Sequence, residues 1–189
     1  MNRDEQKEQR KQAILNAGLS LFVRKGYNAT KITDIAEEVN MSVGLLFHYF
    51  SSKEKLYEEL VRVGLSGTQM VMEYDNDNSI GFFEKAVNTI FSIIKNNPTV
   101  AKMFLLMSQA QHNEATPQIV KDLVSQVNNI AMSVPLIEAG QKQGRIKEGN
   151  PLSLSAAFWC SIQGIAEELA LHPDMPCPDP DWIIDILRK

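Results

Sequence analysis

Gly26-Tyr27-Asn28-Ala29-Thr30, then Asp34-Ile35-Ala36, then Met41-Ser42-Val43-Gly44-Leu45-Leu46-Phe47-His48-Tyr49-Phe50 and finally Ser52-Lys53-Glu54-Lys55-Leu56 decide how this chain folds. Upstream, Ile14, Leu15, Gly18, Leu21 and Phe22 recur at helical spacing, and Gly26 is able to take the left-handed backbone that ends such a helix. A second helix is expected over 30–39, stopped at Asn40, since asparagine tolerates that backbone next best after glycine. A short third helix runs from an N-cap at Ser42 to about Phe50, and Ser51 with Glu54 forms a capping box for a fourth that carries Leu56, Leu60 and Val63. Ile35, Ala36 and Val39 are spaced to meet Leu46 and Phe50 in a small core, with Ala36 small enough to let the two helices approach closely.

That core turns Val43, Leu45, His48 and Tyr49 outward. Gly44, without a side chain, admits another backbone, either its own neighbour or a phosphate chain. Lys53 stands in the first turn of a helix, where its charge opposes the positive end of the macrodipole, and an anion resolves that conflict. Two short helices joined by a tight turn also describe a plain helical corner, and an outward histidine also describes a solvated surface.

The run from Gly26 to Leu56, with Ile14-Leu15 and Leu21-Phe22 before it, resembles the N-terminal domain of the TetR family of bacterial regulators almost position for position. The resemblance implies an all-α fold of about nine helices: a three-helix, homeodomain-like helix-turn-helix domain followed by a helical ligand-binding and dimerisation bundle. The expected division is 1–52 and 53–189. It further implies a homodimer on a palindromic double-stranded DNA operator, probed by Thr33, Ser42, Val43, Gly44, Leu45, Phe47, His48 and Tyr49, with Lys53 on a phosphate. Family members often carry a polar or basic residue where Val43 stands, a small hydroxyl or alanine at Leu45 and a tyrosine at Phe47. Apolar side chains at these three positions shift readout toward thymine methyls and water exclusion. Arg3, Lys7, Arg10 and Lys11 are further phosphate candidates or, alternatively, one solvated helical face.

Charge agrees with that polarity. The net charge of −4 conceals an asymmetry: residues 1–53 hold eight basic and six acidic side chains, the remainder eleven and seventeen. Two cysteines, Cys160 and Cys177, form no CxxC pair, and no basic-plus-apolar leader precedes the first charged stretch, so a cytoplasmic location is expected. No apolar run reaches the eighteen or so residues that span a bilayer, so no membrane association is expected.

Beyond a polar stretch at 75–78, Phe83, Val87, Ile90, Phe91 and Ile94 predict a fifth helix, and Val100, Met103, Phe104 and Met107 a sixth. A long seventh is expected over 116–142, kinked or broken at Pro135. Asn97-Pro98, Thr116-Pro117, Asn150-Pro151 and Asp179-Pro180 each pair an N-cap acceptor with a proline at the first helical position. Phe83, Met103, Phe104 and Met107, with Gln111 as a polar anchor, are positioned to line an apolar pocket for an unidentified small-molecule inducer, or simply to fill the core. The segment from Ile137 to Ile146, followed by Asn150-Pro151 and a Trp-containing helix, is similar to the lead-in to the family's dimerising helices. Leu154, Phe158, Ile162, Ile165 and Leu169 then serve either a dimer interface or the subunit's own core, ahead of a last short helix with Trp182, Ile183, Ile186 and Leu187.

Other functions fare worse. The sequence holds no Gly-rich phosphate loop, no HExxH, no GxSxG and no plausible catalytic trio, and His48, His112 and His172 are dispersed, so an enzyme is not expected. The spacings of His112, Glu114, His172, Asp174 and Cys177 match no recurring metal site, and no cofactor is implied. The remaining alternative is a helical interaction module whose helix-turn-helix no longer binds DNA.

Overall fold

A computed structural model describes residues 2–72 and 79–189, with side chains described outside 68–72; the polar stretch at 75–78 lies outside the described residues. Among the described residues the chain forms ten α-helices: α1 (Arg3–Ala29), α2 (Ile32–Glu38), α3 (Val43–Phe47), α4 (Lys53–Met72), α5 (Ser79–Asn96), α6 (Thr99–His112), α7 (Gln118–Val124), α8 (Asn129–Lys142), α9 (Pro151–Leu171) and α10 (Pro180–Ile184). One isolated antiparallel bridge joins Ile146 and Arg188. The protein is all-α, as its periodicity predicts.

Local chemistry explains most boundaries. Gly26 interrupts α1 with φ 79° and ψ 165°. Asn40, at φ 52°, takes the left-handed backbone expected of it after α2. The Ser42 hydroxyl accepts from the Leu45 N–H at 3.2 Å and starts α3. Asn97, Asn150 and Asp179 accept from Thr99, Ser153 and Asp181 at 3.1, 3.0 and 3.0 Å, so three of the four Asx/Thr-Pro starts behave as expected.

Four expectations need correction. Thr116 is not a cap: it is buried, its hydroxyl lies by the Tyr57 phenol and not at a helix N–H, and Pro117 takes the N-cap position with extended backbone. Ser52, not Ser51, caps α4, accepting from the Lys55 N–H at 3.1 Å. Val63 is exposed, whereas Leu56 and Leu60 are buried. The long seventh helix is two, α7 and α8, separated at 125–128, because the Asn128 carboxamide oxygen accepts from the Ala131 N–H at 3.0 Å and starts a new helix. Pro135 sits inside α8 without ending it. The carbonyl that its ring deprives of a donor belongs to exposed Ala131, where water can satisfy it.

The chain divides into two compact units, 1–65 with 105–126 and 66–104 with 127–189. This differs in course from a single division at 52/53, since the first unit also takes the start of α4 and a segment containing α7. In the first unit Ile14, Phe22, Ile35, Leu46, Leu56 and Val61 are fully buried. Phe22 meets Tyr57 edge-on at 4.9 Å and stacks on Tyr27 at 5.9 Å, and burial pushes the Tyr57 phenol up to about 12. In the second unit Phe82, Phe83, Phe158 and Trp159 form a chain of edge-to-face contacts 5.0–5.2 Å apart, and apolar residues of α5, α8, α9 and α10 close around it. The Trp159 indole donates to Ser133 Oγ at 2.8 Å, whose hydroxyl donates to the Asn129 carbonyl at 2.7 Å, so the indole N–H and this hydroxyl are both paired.

On α4, buried Glu58 accepts from Lys55 Nζ at 2.7 Å and Arg62 Nη2 at 2.8 Å, and these bonds hold its carboxyl below the ordinary 4.5. A carboxyl lowered on folding stabilises the folded state above its unfolded pKa, and that contribution is lost as pH falls through the folded value. Thermal unfolding of the wild-type protein should therefore steepen its dependence on pH below about 4.5, and Glu58→Gln should flatten that limb. An equal acid limb in both proteins would contradict the assignment.

Candidate nucleic-acid interface

The front of the first unit is set by how α2 holds α3. Ile35 and Ala36 are buried on α2, Leu46 and Phe50 are buried on and after α3, and Val39 is half-buried beside them. The core expected from spacing is therefore assembled as read. Its consequence is that Gly44, Phe47 and His48 stand at the centre of the outward face, exposed, with Val43, Leu45 and Tyr49 half-buried at its flanks. The face is thus rotated from the expected centring on Val43, Leu45, His48 and Tyr49. Phe47, which its hydrophobicity would place inside, is 43% exposed.

Gly44 is resolved by its surroundings. A Cβ built there meets nothing within 4 Å, so the glycine does not serve packing against its own chain. Ser42 and Thr33 are exposed, and Ser42 also caps α3. A shallow groove beside this face is lined by Asn28, Thr30, Lys31, Ile32, Phe47, Ser51, Ser52 and Lys53. Exposed Lys31, the residue before α2, is the basic group that sequence reasoning missed. In the sequence it is one charge among many, and only the fold sets it beside Phe47.

Two cations expected on the front are engaged within the protein. Lys11 Nζ pairs with Glu59 at 2.8 Å, while Arg3, Lys7 and Arg10 lie exposed along the first turns of α1. The Lys53 ammonium donates to the carbonyls of Tyr27 and Thr30 at 2.7 and 2.9 Å. No external anion is needed to settle its charge.

The rear candidates scatter. Phe83 is fully buried in the aromatic core, Met103 and Phe104 are half-buried in the same unit, and Met107 and Gln111 fall in the other. Gln111 is exposed, which removes it as a polar anchor inside an apolar cavity. Phe158, Ile162 and Leu169 are buried, and Leu154 and Ile165 pack against them, so the stripe offered for dimerisation is the core of its own unit. Packing within the unit covers this stripe.

Comparison with known proteins bears on this arrangement. The family model described as "Bacterial regulatory proteins, tetR family" matches residues 14–60, the segment that builds the α2–α3 pair. The HTH-type transcriptional regulator YhgD of Bacillus subtilis is 26% identical over 147 residues, 75% of this chain and 74% of that protein. The segment that carries the α2–α3 pair is thus similar to that of the TetR family. The HTH-type transcriptional repressor KstR2 of Rhodococcus jostii is 25% identical over 157 residues, 80% of this chain and 75% of that protein. The structure of AibR in complex with isovaleryl coenzyme A and operator DNA shares the fold at a TM-score of 0.66, with 17% identity over 93% of this chain and 94% of that one. In its likeness to these named regulators the chain is a helix-turn-helix transcriptional regulator and not an enzyme. Among the described residues no helix is long and apolar enough to cross a membrane.

The two sides of α3 should respond oppositely to truncation. Leu46→Ala should cost about 2–5 kcal/mol in denaturant unfolding, as for other fully buried leucines. His48→Ala should stay within about 0.5 kcal/mol of wild type. A large loss for His48→Ala would mean that its side chain supports the fold.

Proposed function

We propose that the face of α3 centred on Gly44, Phe47 and His48 enters the DNA major groove, and that the protein represses transcription from a palindromic operator until a small molecule releases it. The observation that carries this reading is Gly44: exposed, with open space where a side chain would be, it preserves room that nothing in its own chain uses. A DNA backbone or base edge fits that room. Phe47 and Leu45 suit thymine methyls, and His48 and Tyr49 supply hydrogen bonds to bases or phosphates. Thr33, Ser42 and Lys31 stand where phosphates would pass along the neighbouring groove. In this reading 1–52 reads DNA and 53–189 binds ligand and dimerises, within the cytoplasm. Support for an operator and a small-molecule ligand comes from the AibR complex with isovaleryl coenzyme A and operator DNA, and for repression from KstR2, which is named a repressor.

For the homodimer, the outward face of α9 replaces the buried stripe. Leu152 (53% exposed), Ala157, Cys160, Gly164 and Leu171 (57% exposed) lie on it, and Trp182 of α10 is 69% exposed. No charged residue occurs on α9 before Glu167. Two such helices crossing antiparallel bring small residues together at the centre and place Leu152 opposite the partner copy's Leu171, a self-complementary pattern suited to a two-fold axis. The inducer is proposed to bind within the second unit beside half-buried Met103 and Phe104.

Gly44→Ala should leave the fold as stable as wild type or more stable by about 0.5–1 kcal/mol, since alanine is the better helix former. The same change should abolish retention of duplexes selected from random DNA, read by gel shift; full retention would remove the major-groove assignment. Ala157→Glu should convert dimer to monomer in analytical ultracentrifugation, while Ile93→Glu, at another exposed apolar site, should leave it dimeric. A dimeric Ala157→Glu protein would move the interface elsewhere.

A further inference from the structure

Lys53 begins α4, where its charge faces the positive end of that helix, yet it simultaneously meets the carbonyl end of α1. The break at Gly26 leaves carbonyls around the end of α1 without helical donors. Lys53 Nζ donates to the Tyr27 carbonyl at 2.7 Å and the Thr30 carbonyl at 2.9 Å, and lies 4.2 Å from the centre of the Tyr27 ring. A lysine is favourable at such a terminus for the same reason that it is unfavourable at an N-terminus. Two of its three N–H groups are committed, and its ammonium rests on an aromatic face. That ring in turn packs on Phe22 and, at 4.9 Å, on Tyr57 of α4.

We infer that Lys53 is a positioning residue: its ammonium closes the broken end of α1 and so sets the seat from which α2 and α3 project, in place of neutralising a DNA phosphate. The segment it grips, 27–30, runs directly into the Lys31 N-cap of α2, and α2 carries the Ile35–Ala36 surface on which α3 rests. Burial lowers the Lys53 pKa, in keeping with an ammonium drawn into the protein rather than extended to solvent. The consequence for DNA rests on the regulator reading above; the internal grip does not.

Lys53→Met keeps the aliphatic stem over Tyr27 and removes the charge. Without DNA, hydrogen exchange of amides across 27–35 should quicken about tenfold in Lys53→Met and remain at the wild-type rate in Lys55→Met, whose ammonium pairs with Glu58 instead. With DNA, a duplex enriched from a random pool by the wild-type protein should lose about tenfold in affinity for Lys53→Met, while a random duplex changes little and the slope of log K against log salt stays the same. Lys53→Arg, which keeps donors and charge, should recover most of the loss.

A slope flattened by about 0.9 with both duplexes weakened equally would overturn the proposal in favour of a phosphate contact. Unchanged exchange at 27–35 would overturn it as well. Should Lys53→Met fail to fold, the ammonium resonance of Lys53 in 15N-labelled wild-type protein decides: persistence in the free protein, unshifted by duplex, supports the grip, and absence or a large shift on binding refutes it. If the wild-type protein enriches no duplex, the DNA reading falls, while exchange and the ammonium resonance still judge Lys53.

Discussion

Carbonyl oxygens at the interrupted end of α1 must find donors, and the whole front of the protein is organised around supplying them. The hydroxyl of buried Thr30 is shared between the carbonyls of Gly26 and Leu21 at 2.7 and 3.2 Å. Lys53 takes those of Tyr27 and Thr30, and the Gln109 carboxamide of α6 donates to Val23 at 3.2 Å. Donors from the α1–α2 junction, α4 and α6 therefore converge on one short stretch of backbone. An unmet buried carbonyl costs on the order of 1–3 kcal/mol, so these bonds fix where α2 begins. The direction of α3 follows from that starting point.

Lys25 and Asp34 reinforce the same joint from outside, 2.8 Å apart across the α1–α2 junction, with the Lys25 ammonium holding the Asp34 carboxyl below its usual range. Exposure limits what such a pair contributes. The inward bonds of Lys53 and Thr30 matter more because they serve backbone groups that water reaches poorly. Charge in this unit is thus divided: Lys11, Lys25 and Lys53 have partners in their own chain, and exposed Lys31 shares with Lys53 the groove beside Phe47.

Packing in the second unit follows a different economy. Edge-to-face rings from Phe82 to Trp159 fill its centre, and the apolar stripe of α9 is used up against them. Gly140 shows how tight this is, since a Cβ there would run into Ile146. What α9 keeps outside is then informative, because a helix apolar on both sides has more to bury than one core provides. Exposed Leu152, Leu171 and Trp182 are the residue of that imbalance.

Helix content, the break at Gly26, the left-handed Asn40, the Ser42 cap and the inward set Ile35, Ala36, Leu46 and Phe50 were all legible in the sequence, because each depends on residues a few positions apart. Side-chain chemistry and helical period act at that range, and so does the motif that marks the family. The tertiary structure alone decided that Asn128 rather than Pro135 divides the seventh helix, that the stripe on α9 faces its own core, that Phe47 rather than Tyr49 centres the outer face, and that Lys53 turns inward. Each of these depends on a partner distant in sequence or on which side of a helix the remainder of the chain comes to cover, and local patterns carry no information about either.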